Sequence, residues 1–139
     1  MTARMTRNEA WGYFEHPLTN AVAVERGELA CLDTATGLLT KGATSLTLRP
    51  IGYFETDGTG DGTTTFRVRL FDEIRVHWWD NDTGGTPVVA ADVGNLCYVL
   101  DDRTVTGDAT GASAAGRVWG VNTLNGVAVE MIGFYAAVS

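Results

Sequence analysis

The residues of this chain that carry usable chemistry are few and scattered. Asp80-Asn81-Asp82 followed by Gly84-Gly85 places hard oxygen ligands in a tight turn, a set a calcium ion accepts. Asx residues and glycines build the same turns for backbone reasons, and a turn is the expected role of these residues. Asp57-Gly58-Thr59-Gly60-Asp61-Gly62 fails as a phosphate loop, because its glycines are not spaced GxGxxG and no GK[ST] follows. It also fails as an EF-hand loop, since the twelfth position counted from Asp57 is Val68 and not a bidentate carboxylate. It reads as a hairpin tip. Asp101 and Asp102 are adjacent, so on a strand their carboxylates diverge and do not form an acid–base pair. His16 and His77 are the histidines, and Cys31 and Cys97 both sit in apolar runs, which gives no zinc spacing. Ser45, Ser113 and Ser139 are the serines, and none lies in a GxSxG elbow. The expectation is a protein without a catalytic, metal or cofactor site.

The aromatic residues are more informative. Trp78 and Trp79 are consecutive, so on a strand they face opposite ways. Trp78 keeps period with Ile74 and Val76 and is the expected core residue. Trp79 is then expected to point outward with Arg75 and His77, as an interface candidate, because a large rigid ring buries area at low entropy cost. Two chain ends add candidates. The N-terminal arm mixes Arg4 and Arg7 with Trp11, Tyr13 and Phe14, and is poor at burying itself alone. The tail runs apolar from Phe134 and Tyr135 to Val138 and should be covered.

Strands must position these groups. Thr65–Leu70 alternates, with Phe66, Val68 and Leu70 on one side and two arginines on the other. Ile74–Trp78 repeats the pattern, and the short Phe71-Asp72-Glu73 between them suggests a hairpin. Val127–Met131 alternates as well, and Leu46–Arg49 and Val118–Val121 are shorter candidates. Seventeen glycines, with Thr/Asp clusters, punctuate these runs as an all-β barrel or sandwich requires. No segment beyond Pro17 keeps a helical period. Asn8–Glu15 reads as one or two helical turns capped by Asn8. The expected organisation is an arm over residues 1–20 and a β domain over residues 21–139. The domain has the marks of two similar halves. Gly27-Glu28-Leu29 matches Gly94-Asn95-Leu96, and Ile51-Gly52-Tyr53 is set against Trp119-Gly120-Val121. Gly62 before one strand matches Gly126 before another, at an offset of about 65 residues.

The bulk properties narrow the function. A chain of 139 residues is one domain with enough core to fold without staples. A net charge of −7 argues against a nucleic-acid surface, which needs clustered Lys and Arg. No apolar run is long enough to span a bilayer as a helix. Met1–Phe14 lacks the apolar centre of a signal peptide, so a cytosolic protein, or one used on something assembled there, is expected. The two cysteines are expected to be reduced and buried.

From Ala91 to Ile132 the chain reads as three short strands joined by Gly/Asp/Thr loops. Ala91, Asp92, Gly94, Tyr98, Asp101-Asp102, Thr104-Val105, Gly116-Arg117-Val118, Gly120-Val121, Gly126-Val127 and Val129 carry a recognisable order and spacing. Gly27–Asp33 with Gly37, and Arg67–Leu70 through Arg75–Asn81, extend it upstream. In these residues the chain, from Val22 to Ile132, resembles the tailed-bacteriophage capsid cement or head decoration proteins. It departs from their pattern at Trp119, Asn122 and Met131. The resemblance implies a non-enzymatic protein on the outer surface of the virion, assembled in the host cytoplasm. It also implies a major capsid protein as partner, and a small symmetric homo-oligomer, a trimer in preference to a dimer. Nucleic acid and membrane are not expected partners. The rival expectations are another virion β module, of tail or baseplate, and a carbohydrate-binding sandwich stacking sugars on Trp79, Trp119 or Tyr53.

Overall fold

The computed structural model describes residues 12–71 and 76–131. Its strands are β1 (Tyr13–Pro17), β2 (Ala23–Val24), β3 (Leu29–Asp33), β4 (Leu39–Lys41), β5 (Leu48–Phe54), β6 (Gly58–Thr59), β7 (Thr65–Leu70), β8 (Val76–Asn81), β9 (Leu96–Val99), β10 (Thr104–Thr106), β11 (Ala114–Asn122) and β12 (Gly126–Met131). Apart from a 3-10 turn at Ala90–Asp92, the regular structure of the described residues is β, as the period-2 runs predict.

The strands form two units of the same design. One sheet runs β1-β7-β5-β3-β4, and the other runs β8-β12-β11-β9-β10 and closes into a barrel by parallel pairing of β10 with β8. In the first, a five-stranded sheet, the edges meet only at an isolated parallel bridge between Leu18, just past β1, and Leu39 of β4, with Thr19 N donating to Leu39 O at 2.9 Å, so this barrel is closed by a single bridge where the second is closed by a strand pair. The match extends to individual residues. Ala30 lies opposite Gly52 and Cys97 lies opposite Gly116. The next pairs, Cys31 with Pro50 and Tyr98 with Ala114, skip one residue each, Ile51 and Ala115, and both skipped residues are fully buried. Phe14 faces Val68 where His77 faces Val129. Gly27 and Gly94, just before β3 and β9, share a left-handed φ of 93° and 92°. The chain is therefore an internal duplication. The counterpart of Gly52 is Gly116, and the expected equivalence with Gly120 is corrected by the strand pairing.

Each barrel is filled by its inward residues. Leu18, Ala30, Leu39, Ile51, Phe54, Val68 and Leu70 fill the first, and Val24 of β2 packs on them. Trp79, Cys97, Val99, Val105, Ala115, Val118, Val127, Val129 and Met131 fill the second. Val88, from the link between β8 and β9, joins them as Val24 joins the first. A Leu- or Val-sized side chain contributes roughly 1.5–3 kcal/mol when fully buried, so each core is a substantial source of stability. Leu29, Cys31, Leu48 and Phe71 turn away from the first core and pack into the second. This is why Leu29, Ala30 and Cys31 are buried in succession: alternate residues serve a barrel interior and the seam. Polar contacts stitch the seam. Leu29 N donates to Asp102 O at 2.9 Å, Ser113 Oγ to Ser45 O at 2.5 Å, and Arg103 pairs with Glu25 and Glu28 at 2.6 and 3.4 Å.

Three expectations are corrected. Tyr13–Pro17 is a strand and Leu18 is core, so residues 13–20 belong to the first barrel and not to an arm or a helical turn. The hairpin expected across Phe71-Asp72-Glu73 does not form. There β7 pairs with β1 and β5, while β8 pairs with β12 and β10, so this link joins the two barrels. The Asp57–Gly62 loop is no free tip, because its β6 pairs with β2 and Asp61 accepts from Thr63 N and Thr64 N.

Candidate functional site

The outer face of β8, β12 and β11 carries the most conspicuous exposed feature. Trp78 lies opposite Ala128, and Ala128 lies opposite Gly120. A bulge between Val118 and Gly120 inserts Trp119 on the outward side, since Val118 points into the core. Trp78 is 47% exposed and Trp119 65%, while Ala128 between them is only 4% exposed. Two indole rings thus flank a floor of small residues, on strands about 10 Å apart. Beside them on the same face run Val76, Glu130, Arg117 and Leu96, each opposite the next.

The first barrel shows what the fold itself asks of these positions. The counterparts of Trp78 and Ala128 are Glu15 and Arg67, which face each other across β1 and β7 and form an exposed ion pair at 3.9 Å. Glu55 follows Phe54 as Trp119 follows Val118. A charged, solvated face therefore satisfies the fold in one half, and the other half replaces it with two tryptophans and an alanine. The first barrel has no aromatic ring at Glu15, Arg67 or Glu55, the positions equivalent to Trp78, Ala128 and Trp119. Exposed aromatic area of this kind is what interfaces use.

The sequence-based candidates separate on this face. The assignment of Trp78 to the core and Trp79 to the surface is reversed. Strand β12 sets the register: Val127 faces Trp79 and Val129 faces His77, and opposed residues share a side. Both valines are fully buried, so His77 and Trp79 point inward. Trp79 Nε1 donates to Met131 Sδ at 3.2 Å, and the ring stacks near His77 at 6.3 Å between centroids. Tyr13 and Phe14 serve the first barrel. The Arg67 guanidinium sits over the Tyr13 ring at 3.9 Å, Arg69 donates to its hydroxyl at 3.1 Å, and Phe14 stacks on His16. Tyr53 is half-buried at the seam, its ring tilted toward His77. Arg4, Arg7, Trp11, Phe134 and Tyr135 lie outside the described residues. Trp119, which the sequence offered only for sugar stacking, is the partner of Trp78. The bulge that aims it outward has no sequence signal beyond the adjacent Gly120.

The acidic groups hold turns. Asp82 accepts from Gly84 N at 2.7 Å, Thr86 N at 3.2 Å and Thr106 Oγ1 at 2.9 Å, and these bonds keep its carboxyl below the usual range. Asp61 is lowered in the same way, first by Thr64 N. Asp101 accepts from Arg103 N at 2.9 Å, and Asp102 pairs with Lys41 at 3.3 Å. Among the described residues no three His, Cys, Asp or Glu side chains gather as a metal set. Both cysteines are free and buried. Burial raises the Cys31 thiol and pushes Cys97 up to about 12. Comparison with family models, with curated proteins and with solved structures finds no match.

Proposed function

We propose that the protein is a non-enzymatic decoration protein of a phage head, attached to the outer capsid surface through the Trp78–Trp119 face of its second barrel. The observation that carries this reading is the divergence of the two halves. Equivalent positions are Glu15, Arg67 and Glu55 in one barrel and Trp78, Ala128 and Trp119 in the other. The sequence pattern from Ala91 to Ile132, which resembles decoration proteins, covers most of the barrel bearing the rings. Trp78 is 47% exposed and Trp119 65%, so of the roughly 150–250 Å² each ring can bury the pair has on the order of 170–280 Å² left to cover, a centre for the ~800 Å² per partner of a standard interface and not the bulk of it. Each copy then adds a modest contact to neighbouring major-capsid subunits. The shell gains stability because this binding exists only in the assembled lattice.

The test is sedimentation with undecorated heads. The parent chain co-sediments with the heads, and the Trp78→Ala/Trp119→Ala double variant stays in the supernatant while melting at an unchanged temperature. The paired exposed indoles also favour a second reading, a sugar-stacking face. A glycan screen that returns specific ligands, with no binding to heads, would replace the capsid reading by that one.

A further inference from the structure

The tryptophans stand in a single row between polar neighbours. Trp78, Ala128 and Gly120 lie side by side across β8, β12 and β11, with Trp119 turned out beside Gly120. Two residues along the strands to one side, about 7 Å away, exposed Arg117 and Glu130 face each other. To the other side stand Asn122 and Asp80, both exposed, with Gly126 between them. Asn122 lies opposite Gly126, and a β-carbon on Gly126 would come within 3.4 Å of Asp80 Cα. Among the described residues nothing pairs with the carboxylates of Asp80 and Glu130, and nothing accepts from the indole N–H of Trp78 or Trp119.

We infer that this face receives a proline-rich extended segment of its partner, laid across the three strands with two prolines, three residues apart, on Trp78 and Trp119. Spacing indicates the conformation. In a polyproline II helix residues i and i+3 share a side about 9 Å apart, and β8 and β11 are about 10 Å apart. A strand repeats a side about every 7 Å and falls out of step with the rings. An α-helix, about 10–12 Å across, would lie on the charged rows as well as on the apolar one. The polyproline backbone makes no internal hydrogen bonds, so its carbonyls are free to accept from the two indoles, and aromatic grooves recognise such segments for this reason. Area argues against a second copy of this chain as the occupant. The two rings have on the order of 170–280 Å² left to cover, against ~800 Å² per partner for a stable dimer. Charge sets the flank: Asp80 and Glu130 lie on either side of the Trp78 end, so a Lys or Arg beside the proline seated there is matched. On the capsid reading, on which this rests, the segment belongs to the major capsid protein.

The probe is a blocked, lysine-flanked PxxP peptide, titrated into the full chain in a calorimeter beside a peptide of the same composition with its prolines two residues apart. The PxxP peptide should bind at least about tenfold more tightly than that control, and Trp78→Ala and Trp119→Ala should each weaken it about tenfold. Asp80→Asn should weaken it about two- to fivefold. Unchanged circular dichroism and melting of each variant show that lost binding is not lost folding. Equal affinity for the two peptides, or no heat from either, overturns the proposal. So does a cello-oligosaccharide that binds where the PxxP peptide does not, or a loss of self-association as the sole effect of the tryptophan variants. Sedimentation with heads keeps the two readings apart. If the parent chain binds heads through its tryptophans and no PxxP peptide binds, the proline segment falls and the capsid reading stands. If the PxxP peptide binds as expected and heads do not, the capsid reading falls and the proline-binding face stands.

Discussion

Gly52 and Gly116 stand in the same place in the two barrels, each pressed so close to the next strand that a β-carbon would strike a carbonyl oxygen, of Arg69 in one and of Glu130 in the other. Both lie opposite counterpart residues, Ala30 and Cys97, and both are buried. The duplication thus supplies an internal comparison. What the halves share is what the fold demands, and what only one half has is open to another use.

Gly52→Ala and Gly116→Ala should each cost about 3 kcal/mol, because the clash is with backbone and neither strand can retreat without losing its ladder. Gly120→Ala, where a β-carbon meets nothing within 4 Å, should stay within about 0.5 kcal/mol of the parent. Urea unfolding of the three variants checks the contrast.

The adjacent tryptophans should behave oppositely. Trp79→Ala empties the second core and removes the donor to Met131, and should cost about 3–5 kcal/mol. Trp78→Ala and Trp119→Ala should change stability by less than about 1 kcal/mol. Thermal melts distinguish this from the reverse order, which the alternation of Ile74, Val76 and Trp78 would imply.

That reversal shows where sequence reasoning stopped. The strands were legible because Val68, Val118, Val127 and Val129 alternate with outward residues, and the repeat was legible in Gly27 and Gly94, whose left-handed φ only glycine accepts readily. Which side of β8 faces inward was not legible. Ile74-Val76-Trp78 and His77-Trp79 fit period 2 equally well, and only the pairing with Val127 and Val129 decides. The hairpin expected after Leu70 failed for a related reason: a short polar link looks the same whether it joins paired strands or two barrels. The aromatic face itself needed the bulge at Trp119 and the comparison with Glu15 and Arg67, both of which are three-dimensional facts.

Acid should unfold the protein through its turns. Asp61, Asp82 and Asp108 are held below the ordinary aspartate value by backbone N–H and hydroxyl donors. Their folded forms bind protons less readily than the unfolded chain, so their contribution is complete above that ordinary value and is lost as pH falls below about 4. Glu28 has the opposite sign. It is raised first by burial and then by Asp102, and it gives up stability as pH rises through and above the usual glutamate range. Melting temperature should therefore fall steeply below about pH 4, and Asp61→Asn should flatten that limb.

Neither cysteine should react in the native state. Burial disfavours both thiolates, and the thiolate is the attacking species. Ellman's reagent should titrate no thiol at neutral pH until urea unfolds the chain. Rapid native labelling would show that the seam around Cys31 opens.

The most direct test of the account is a cryo-EM map of heads decorated with the full chain. The prediction is that β8, β12 and β11 face the shell, with Trp78 and Trp119 buried against the major capsid protein and Glu15 and Arg67 on a solvent-facing surface. A map in which the first barrel's charged face meets the shell while both tryptophans remain in solvent, or heads that carry no copies at all, would contradict it.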